Sequence, residues 1–173
     1  MAISLYDATV AGFLQILGAA EGVLEKGRIH CEAHGVDLDS IVETRLIDDM
    51  APFRFQVTQM AHHTSGAIAG VKLGVFAPHT GSLTANYGEL QKVVAHARAA
   101  LADFTPDEIN ALEGRDVVFH LRDMKMAFTA ENFLLSFSTP NLYFHATTAY
   151  DILRLKGVPL GKRDYMGQPR MKG

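Results

Sequence analysis

The stretch that decides the fold is Thr139-Pro-Asn-Leu-Tyr-Phe-His-Ala-Thr-Thr-Ala-Tyr-Asp-Ile-Leu-Arg154, which we interpret as the second half of a long helix. At helical spacing, one face of this helix carries both apolar and polar residues. They are Leu134, Asn141, His145, Thr148, Ile152 and Leu155. The apolar members are typical of a core-facing seam, but an unpaired buried polar group costs roughly 1–3 kcal/mol. The polar trio must therefore find hydrogen-bond partners, a ligand or a metal, and this face is the predicted site.

Pro140 lies inside this predicted helix, which we place over residues 130–156. Proline removes one backbone hydrogen bond and clashes with the preceding turn, so a kink is expected there. A kink would free backbone carbonyl groups in the core, beside Asn141 and His145. The predicted polar site therefore coincides with an irregularity in its own helix.

Three more helices are predicted upstream, each with apolar or small residues that alternate three and four positions apart, as in the seam of a helix bundle. The first starts at a capping box, Ser4-Leu-Tyr-Asp7, and ends at Gly35. The second covers residues 52–74, and Ser82 or Thr84 can cap the third. The seam residues, in chain order, are Tyr6, Val10, Phe13, Leu17, Ala20, Leu24, Gly27 and Cys31, then Phe53, Val57, Met60, Thr64, Ala67 and Val71, then Tyr87, Leu90, Val94, Ala97, Leu101 and Phe104.

Before the fourth helix the hydrophobic period changes to two. Residues 117–122 follow this shorter period, and Met126 and Phe128 come after a short turn, which predicts a small β-hairpin. Four long helices with bundle seams predict a mainly α fold, an up-down-type four-helix bundle with the hairpin before the last long helix. We see no domain linker, so residues 1–173 are expected to form a single domain, with 158–173 as an extended C-terminal tail.

Composition narrows the classes of function. The 173 residues are 48% apolar and 20% charged, and the net charge of −3 gives no overall basic field for binding nucleic acid. Cys31 is the single cysteine, which excludes an internal disulfide and fits a reducing compartment. No apolar run reaches the roughly 18 residues of a membrane span, and the N-terminus lacks the pattern of a signal peptide. We therefore expect a cytoplasmic protein that binds neither nucleic acid nor membrane.

The histidine pair near the end of the first helix and the single cysteine are interpreted as structural residues and not as parts of a site. His30 and His34 lie one helical turn apart near a predicted helix end, where histidines interact favourably with the helix dipole. They lack the glutamate that a zinc-protease helix needs directly after its first histidine. Cys31 lies on the apolar side of the first helix and is interpreted as a small core residue.

His62 and His63 lie in the middle of the second predicted helix. His63 flanks the seam and can point inward, whereas His62 points further round the helix. A satisfied or partly exposed histidine is the structural interpretation. The alternative is that His63 faces His145 across the bundle core, where metal and cofactor sites of bundles are usually built.

Motifs along most of the chain resemble those of one known family. The most specific segments are Pro140-Asn-Leu-Tyr-Phe-His145 and Gly157-Val-Pro-Leu-Gly-Lys162. Ser4-Leu-Tyr-Asp-Ala8, Asp49-Met-x-Pro52 and Tyr87-x-Glu-Leu-Gln91 add to the likeness. Together they resemble an uncharacterised bacterial family, the domain of unknown function numbered nineteen ninety-three. That family is similar to the DinB/YfiT-like superfamily of four-helix proteins regarded as candidate metalloenzymes.

The resemblance to this superfamily implies a set of three histidines, one on helix two and a pair four residues apart on helix four. Leu153-Arg154 and Gly157 match the residues that follow the pair in the superfamily. This match aligns His145 with the second histidine of the pair, Asn141 with the first, and Thr148 with a glutamine. The sequence therefore departs from the superfamily pattern at two of these positions.

The metal site implied by the resemblance consists of His63, Asn141 and His145, with water completing the coordination. His62 is the alternative to His63 as the helix-two ligand. An asparagine is a poor ligand for zinc or nickel, and two histidines hold a metal only loosely. The resemblance also implies a homodimer and, among relatives, transferases and isomerases that use a metal to activate a small thiol.

Two function hypotheses follow, and a purely structural role for the polar trio is a third. The first is a bundle with no resident cofactor that binds a small-molecule ligand or a partner at a polar core site. The residues of that site are Asn141, His145, Thr148, Tyr150 and Arg154. The alternative is a metal-dependent enzyme of the thiol-transferase type, in which His63, His145 and Asn141 hold a divalent metal such as zinc or nickel. Whether the protein is an enzyme is left open by the sequence.

Overall fold

The computed structural model describes residues 3–79 and 86–172. Within them the chain forms helices, two π-helical segments and a small sheet. The helical elements are α1 (Leu5–Ala8), α2 (Val10–His34), α3 (Leu38–Val42), α4 (Phe53–Ala61), π1 (His62–Gly66), α5 (Ala67–Leu73), α6 (Tyr87–Ala102), α7 (Pro106–Asn110), α8 (Ala130–Asn132), π2 (Phe133–Ser138), α9 (Thr139–Leu155) and α10 (Lys162–Met166). The strands are β1 (Val75–Phe76), β2 (Asp116–Leu121) and β3 (Met124–Thr129).

Four long helical segments build the bundle: α2, the run from α4 through π1 to α5, α6, and the run from α8 through π2 to α9. The α2 helix packs against α6 and α9, and α4 packs against the same two helices. The first and second segments therefore lie across the bundle from each other, as do the third and fourth, whereas the second and third are neighbours. The predicted mainly α bundle is confirmed.

The first helical segment begins and ends where the sequence predicts. Ser4 Oγ accepts a hydrogen bond from the backbone N–H of Asp7, and Gly35 ends α2 with a φ of 65°. The predicted single helix is nevertheless interrupted at Thr9, which separates α1 from α2. The Thr9 hydroxyl donates a hydrogen bond to the Leu5 carbonyl at 2.6 Å. Such bonds compete with the helical backbone pattern, which explains the break.

The three predicted upstream seams form the core. All of their residues are buried except Tyr6 and Phe104, which are partly buried. The fourth seam was predicted wrongly at Leu155, which is 61% exposed. Leu153 and Val158 are fully buried at this end of the bundle, so the core is filled without Leu155.

The third helix has a different cap from those predicted. Ser82 and Thr84 lie outside the described residues. The observed N-cap of α6 is Asn86, whose side-chain oxygen accepts a hydrogen bond from the Glu89 backbone N–H at 2.9 Å. The Glu89 carboxylate in turn accepts the Asn86 backbone N–H at 3.1 Å. This reciprocal capping box fixes the start of the helix.

The predicted hairpin forms as β2 and β3, which pair antiparallel from Asp116 opposite Thr129 to Leu121 opposite Met124. Strand β1 was not predicted; it pairs in parallel with β2 and makes the sheet three-stranded. Two residues are too few to show a hydrophobic period. The short strand matters because it places Phe76, 5% exposed, beside the histidines of the second helix.

The prediction of an extended tail over 158–173 was wrong in part, because α10 forms within it and packs against α2. Lys26 Nζ donates a hydrogen bond to Asp164 at 2.6 Å, and the Gln15 side chain donates to the Met166 carbonyl at 2.9 Å. These bonds to α2 hold the segment against its own chain.

Among the described residues, one helical region, Leu5–His34, is long and apolar enough to cross a membrane by length and composition alone. Half of its most apolar window is buried inside the molecule. This burial is that of a helix in the core of the bundle.

Candidate functional site

The second and fourth helical segments each contain a π-helical stretch beside the predicted site. Thr64 within π1 donates its hydroxyl to the Met60 carbonyl at 2.7 Å, and Thr139 after π2 donates to the Leu134 carbonyl at 2.8 Å. The irregularity predicted at Pro140 thus occurs as π2, which ends two residues before the proline. Proline has no backbone N–H, so one carbonyl group in the preceding turn lacks its helical donor. This loss favours a local π-helical segment there. π-Helical turns are frequent at functional sites because they redirect side chains.

His63 from π1 and His145 from α9 face each other inside the bundle. Their ring centroids are 5.9 Å apart and their planes differ by 15°. The two residues are only 6% and 8% exposed. His62 instead stacks on Phe76, at 4.3 Å between centroids, and its ring lies 6.0 Å from that of His79. Of the two helix-two candidates, His63 is therefore the one that faces His145.

Gln56 of α4 determines which nitrogen of His145 carries the proton. The Gln56 amide nitrogen donates to the Ala51 carbonyl at 2.8 Å, which fixes the orientation of the amide group. The amide oxygen then lies 2.7 Å from His145 Nδ1. An oxygen can only accept there, so Nδ1 must be the protonated nitrogen. His145 Nε2 is left with its lone pair free to accept a hydrogen bond or bind a metal.

Replacing Gln56 with methionine should release His145 from this tautomer. Methionine has a similar length but leaves the Ala51 carbonyl and His145 Nδ1 without their partner. We expect the free energy of unfolding to fall by about 1–3 kcal/mol. Long-range ¹H–¹⁵N spectra should show one Nδ1–H tautomer in the wild type and a mixture in Gln56→Met. A mixture already present in the wild type would contradict this role of Gln56.

Buried polar atoms near the histidine pair lack hydrogen-bond partners among the described residues. They include His63 Nδ1 and His62 Nε2, and the two rings lie 5.3 Å apart between centroids. Ser138 Oγ, at the end of π2, is a further buried atom without a partner in the described part of the chain. Buried polar groups are nearly always paired, so unpaired atoms in one region indicate a place for water or a ligand.

Burial keeps these histidines neutral. Desolvation, together with nearby His62 and His145, lowers the pKa of His63 to about 3. Desolvation, with a smaller effect of His62, lowers the pKa of His145 to about 4. The pKa of His62 is also lowered, by burial first and by His79 second. At neutral pH the cluster therefore offers nitrogen lone pairs rather than positive charge.

The other two members of the predicted trio satisfy their hydrogen bonds within their own helix. The Asn141 amide nitrogen donates to the Phe137 carbonyl at 2.7 Å, and the Thr148 hydroxyl donates to the Phe144 carbonyl at 2.8 Å. Thr148 is buried, whereas Asn141 is partly exposed. The trio therefore shares a helix face without forming one hydrogen-bonded network.

Tyr150 and Arg154 have contacts away from the histidine pair. Tyr150 lines a small apolar cavity beneath α10, and its ring lies 5.9 Å from that of Tyr165. Arg154 is exposed and donates to the Val158 carbonyl at 2.9 Å, just beyond the end of α9. The predicted polar residues thus divide between the histidine pair and the C-terminal end of the bundle.

The donor set that the resemblance implies for a metal is His63, Asn141 and His145. Within residues 3–79 and 86–172, no group of three or more His, Cys, Asp or Glu side chains is placed to hold a metal ion. Metal sites usually need three or four protein ligands, so two imidazoles and a side-chain amide fit a tightly held ion poorly.

Sequence reasoning did not assign a role to Gln56, although a signal was present. Gln56 lies seven residues before His63, and it is 1% exposed. A buried glutamine needs partners for both ends of its amide group. A second polar residue on the inward face of the second helix therefore indicated that the site extends to α4.

The fold has a counterpart among solved structures. A DinB family member protein from Shewanella denitrificans superposes with a TM-score of 0.81 and 27% sequence identity. The match covers 98% of this chain and 95% of the other. The bundle is therefore DinB-like over its whole length.

Comparison at the level of sequence gives the family. No curated protein matches the chain. Residues 5–166 match the family described as Domain of unknown function (DUF1993), which confirms the resemblance found in the helix-four and N-terminal motifs. The chain therefore belongs to the DUF1993 family, an uncharacterised family with a DinB-like helical fold.

Proposed function

We propose that this DinB-like protein binds a small polar ligand between α4, π1 and α9, without a tightly held metal. The observation that carries the proposal is the pair of buried, facing imidazoles of His63 and His145. His63 Nδ1 has no hydrogen-bond partner in the described part of the chain. A pocket for a ligand group is the arrangement that would satisfy these atoms.

The chemistry of the pair favours a ligand that donates a hydrogen bond. His145 is held as the Nδ1–H tautomer by Gln56, so its Nε2 accepts rather than donates. The lowered pKa values of both histidines keep this acceptor available at neutral pH. Aromatic rings flank His145, with Phe55 at 5.8 Å and Phe144 at 5.3 Å between centroids. A hydroxyl, amine or thiol on an apolar body fits these surroundings.

Phenol and anisole test this proposal as a matched pair, because they share an aromatic body and only phenol donates a hydrogen bond. Phenol should shift the His145 ring resonances in a saturable manner, and anisole should shift them much less. The ring resonances of His63, which faces His145, should shift with phenol as well. A His145→Phe variant should lose this His63 shift, whereas His96→Phe, at an exposed position of α6, should keep it. Equal binding of phenol and anisole would argue against a specific acceptor.

The second candidate function is a metal-dependent enzyme of the thiol-transferase type, and the Gln56–His145 bond is the observation in its favour. Histidines that bind metals usually donate their other ring nitrogen to a carbonyl or carboxylate oxygen. His63, His145 and Asn141 would supply the protein ligands for a divalent ion such as zinc or nickel. A metal there would supply Lewis-acid activation of a thiol when bound.

Elemental analysis of protein purified without a histidine tag separates the two candidates. Under the first proposal, zinc, nickel and iron should each be far below one ion per chain. The ring resonances of His63 and His145 should also stay unchanged on adding a chelator. Near-stoichiometric metal that is lost in His145→Ala would overturn the first proposal in favour of the second.

The partner proposed from the resemblance is a second copy of the chain. The C-terminal segment, which was predicted to be extended, packs through α10 against α2 of its own chain. Light scattering should give twice the chain mass of 18.9 kDa. A clean monomer mass at micromolar concentration would show that the dimer proposal is wrong.

A further inference from the structure

A second feature, separate from the histidine pair, is an open groove on the outside of the bundle between α2, α6 and the C-terminal segment. Its volume is about 400 Å³. Small residues of α2 line it, namely Gly18, Ala19 and Gly22. A Cβ atom at Gly22 would meet nothing within 4 Å, and one at Gly18 would lie 3.4 Å from Nε of Arg98. The missing side chains therefore keep the groove open and let the Arg98 guanidinium lie across α2.

Positive charge dominates the groove in a chain whose net charge is −3. Lys26, Arg98 and Arg163 line it from three different elements, against the single carboxylate of Asp164. Lys26 pairs with Asp164 at 2.6 Å, and Arg98 pairs with Glu21 at 2.7 Å. Both pairs are partly exposed, so each contributes little to stability and yields readily to a competing anion.

Arg163 is the cation in the groove without an internal partner. In the described ranges, 3–79 and 86–172, its guanidinium makes no hydrogen bond or ion pair. The segment that carries Arg163 is held against α2 by the bonds from Lys26 and Gln15. A guanidinium held at a groove wall presents a planar set of donors that matches a carboxylate or phosphate.

We propose that this groove binds a small organic anion, a carboxylate or phosphate with a short apolar body. Arg163 and Arg98 bind the anionic group, and the apolar body lies against Leu14 and Ala19. The groove volume is at the lower end of the roughly 300–1,000 Å³ of small-molecule sites, which suits a compact ligand. This site is independent of the histidine pair, so either proposal can fail without the other.

Phenyl phosphate is the probe, because it combines the proposed anion with a compact apolar ring. Titration of the ¹⁵N-labelled full chain at low salt should shift the backbone amides of Gly18, Gly22 and Gly167, and leave that of His145 unchanged. Benzoate tests the carboxylate alternative, and inorganic phosphate tests whether the anion alone suffices. Phenol tests whether the ring alone suffices.

Three variants give matched predictions. Arg163→Gln should weaken phenyl phosphate binding about tenfold, as expected for loss of one charge-assisted contact. Lys162→Gln removes the same charge from the neighbouring position, outside the groove lining, and should change binding less than twofold. Glu21→Gln frees Arg98 from its internal partner and should tighten binding. All three residues lie at the surface, so circular dichroism should show unchanged helix content.

If Arg163→Gln and Lys162→Gln weakened phenyl phosphate binding equally, the effect would come from net charge and not from a contact in the groove. That result would overturn the proposal. Equal groove shifts with phenol and with phenyl phosphate would also overturn it, because the anionic group would then contribute nothing. Groove shifts with phenyl phosphate or benzoate that Arg163→Gln abolishes would support it. Shifts with inorganic phosphate of the same affinity would support the anion contacts and remove the apolar body from the ligand description.

Discussion

Gly27→Ala should lower the free energy of unfolding by roughly 2–4 kcal/mol, through overpacking and the loss of one buried hydrogen bond. A Cβ atom at Gly27 would overlap the hydroxyl oxygen of Tyr87 and lie 3.2 Å from a methyl carbon of Leu153. Tyr87 is 1% exposed, and its hydroxyl donates to the Leu24 carbonyl at 2.8 Å. The ring cannot move away without breaking this bond. Burial also raises the pKa of Tyr87 well above its usual value, so the hydroxyl stays protonated and remains a donor. The change therefore affects the junction of α2, α6 and α9.

Gly22→Ala is the matched control on the same helix. Gly22 is exposed, and an added Cβ atom would contact nothing within 4 Å. Alanine is favoured over glycine inside a helix by roughly 0.5–1 kcal/mol, so this variant should be slightly more stable than the wild type. Chemical denaturation of both variants measures the difference. If the two variants were equally stable, the packing of Tyr87 against Gly27 would be different from that described.

Acid should destabilise the protein strongly below pH 6.5, because the folded state resists protonation of its buried histidines. In the unfolded chain a histidine has a pKa near 6.5. In the folded chain the pKa is about 3 for His63 and about 4 for His145. Between these limits the unfolded state binds protons that the folded state does not. The contribution of the two histidines to the free energy of unfolding is therefore fully present above pH 6.5, and it is lost as the pH drops toward 4.

The slope of this loss identifies its origin. Each fully shifted histidine contributes about 1.4 kcal/mol per pH unit, so the facing pair should contribute up to about 3 kcal/mol per pH unit. Urea denaturation between pH 7 and pH 4.5, in the presence of a chelator, measures the slope. His63→Phe keeps an aromatic ring of similar size in the cluster and should reduce the slope by about half. His96→Phe, at an exposed position, should leave the slope unchanged.

A slope that stays the same in His63→Phe would assign the acid sensitivity to other groups. That result would contradict the burial of His63 beside His145, on which the proposed ligand site also depends. The pH experiment thus tests the geometry of the site without knowledge of the ligand.

The acid sensitivity and the proposed ligand site have one physical cause. Burial keeps the imidazoles neutral and leaves His63 Nδ1 without a partner among the described residues. A bound hydrogen-bond donor would satisfy such an atom and stabilise the folded state by an amount that grows with the logarithm of the ligand concentration above the dissociation constant. The protein would then resist acid better in the presence of its ligand.

The sequence alone determined the helices and most of the core. Alternation of three and four positions identified the buried face of α2, α4 and α6, because helix geometry places such residues on one side. Local signals such as Ser4 and Gly35 marked helix ends, since capping depends on residues close in the chain. The polar trio on helix four likewise led to His145, and the position of His63 beside the seam of the second helix led to the hypothesis that it faces His145.

Only the tertiary structure decided how those residues are used. Gln56 meets His145 across 89 positions of sequence, and no local period encodes that distance. The side chains of Asn141 and Thr148 donate hydrogen bonds to carbonyl groups of their own helix. The sequence shows that these residues lie on one helix face, but it does not show whether they bond to one another or to the backbone. The groove around Arg163 exists because α10 folds back onto α2. Spacing along a helix reports which side a residue faces, whereas partners are set by how separate elements pack.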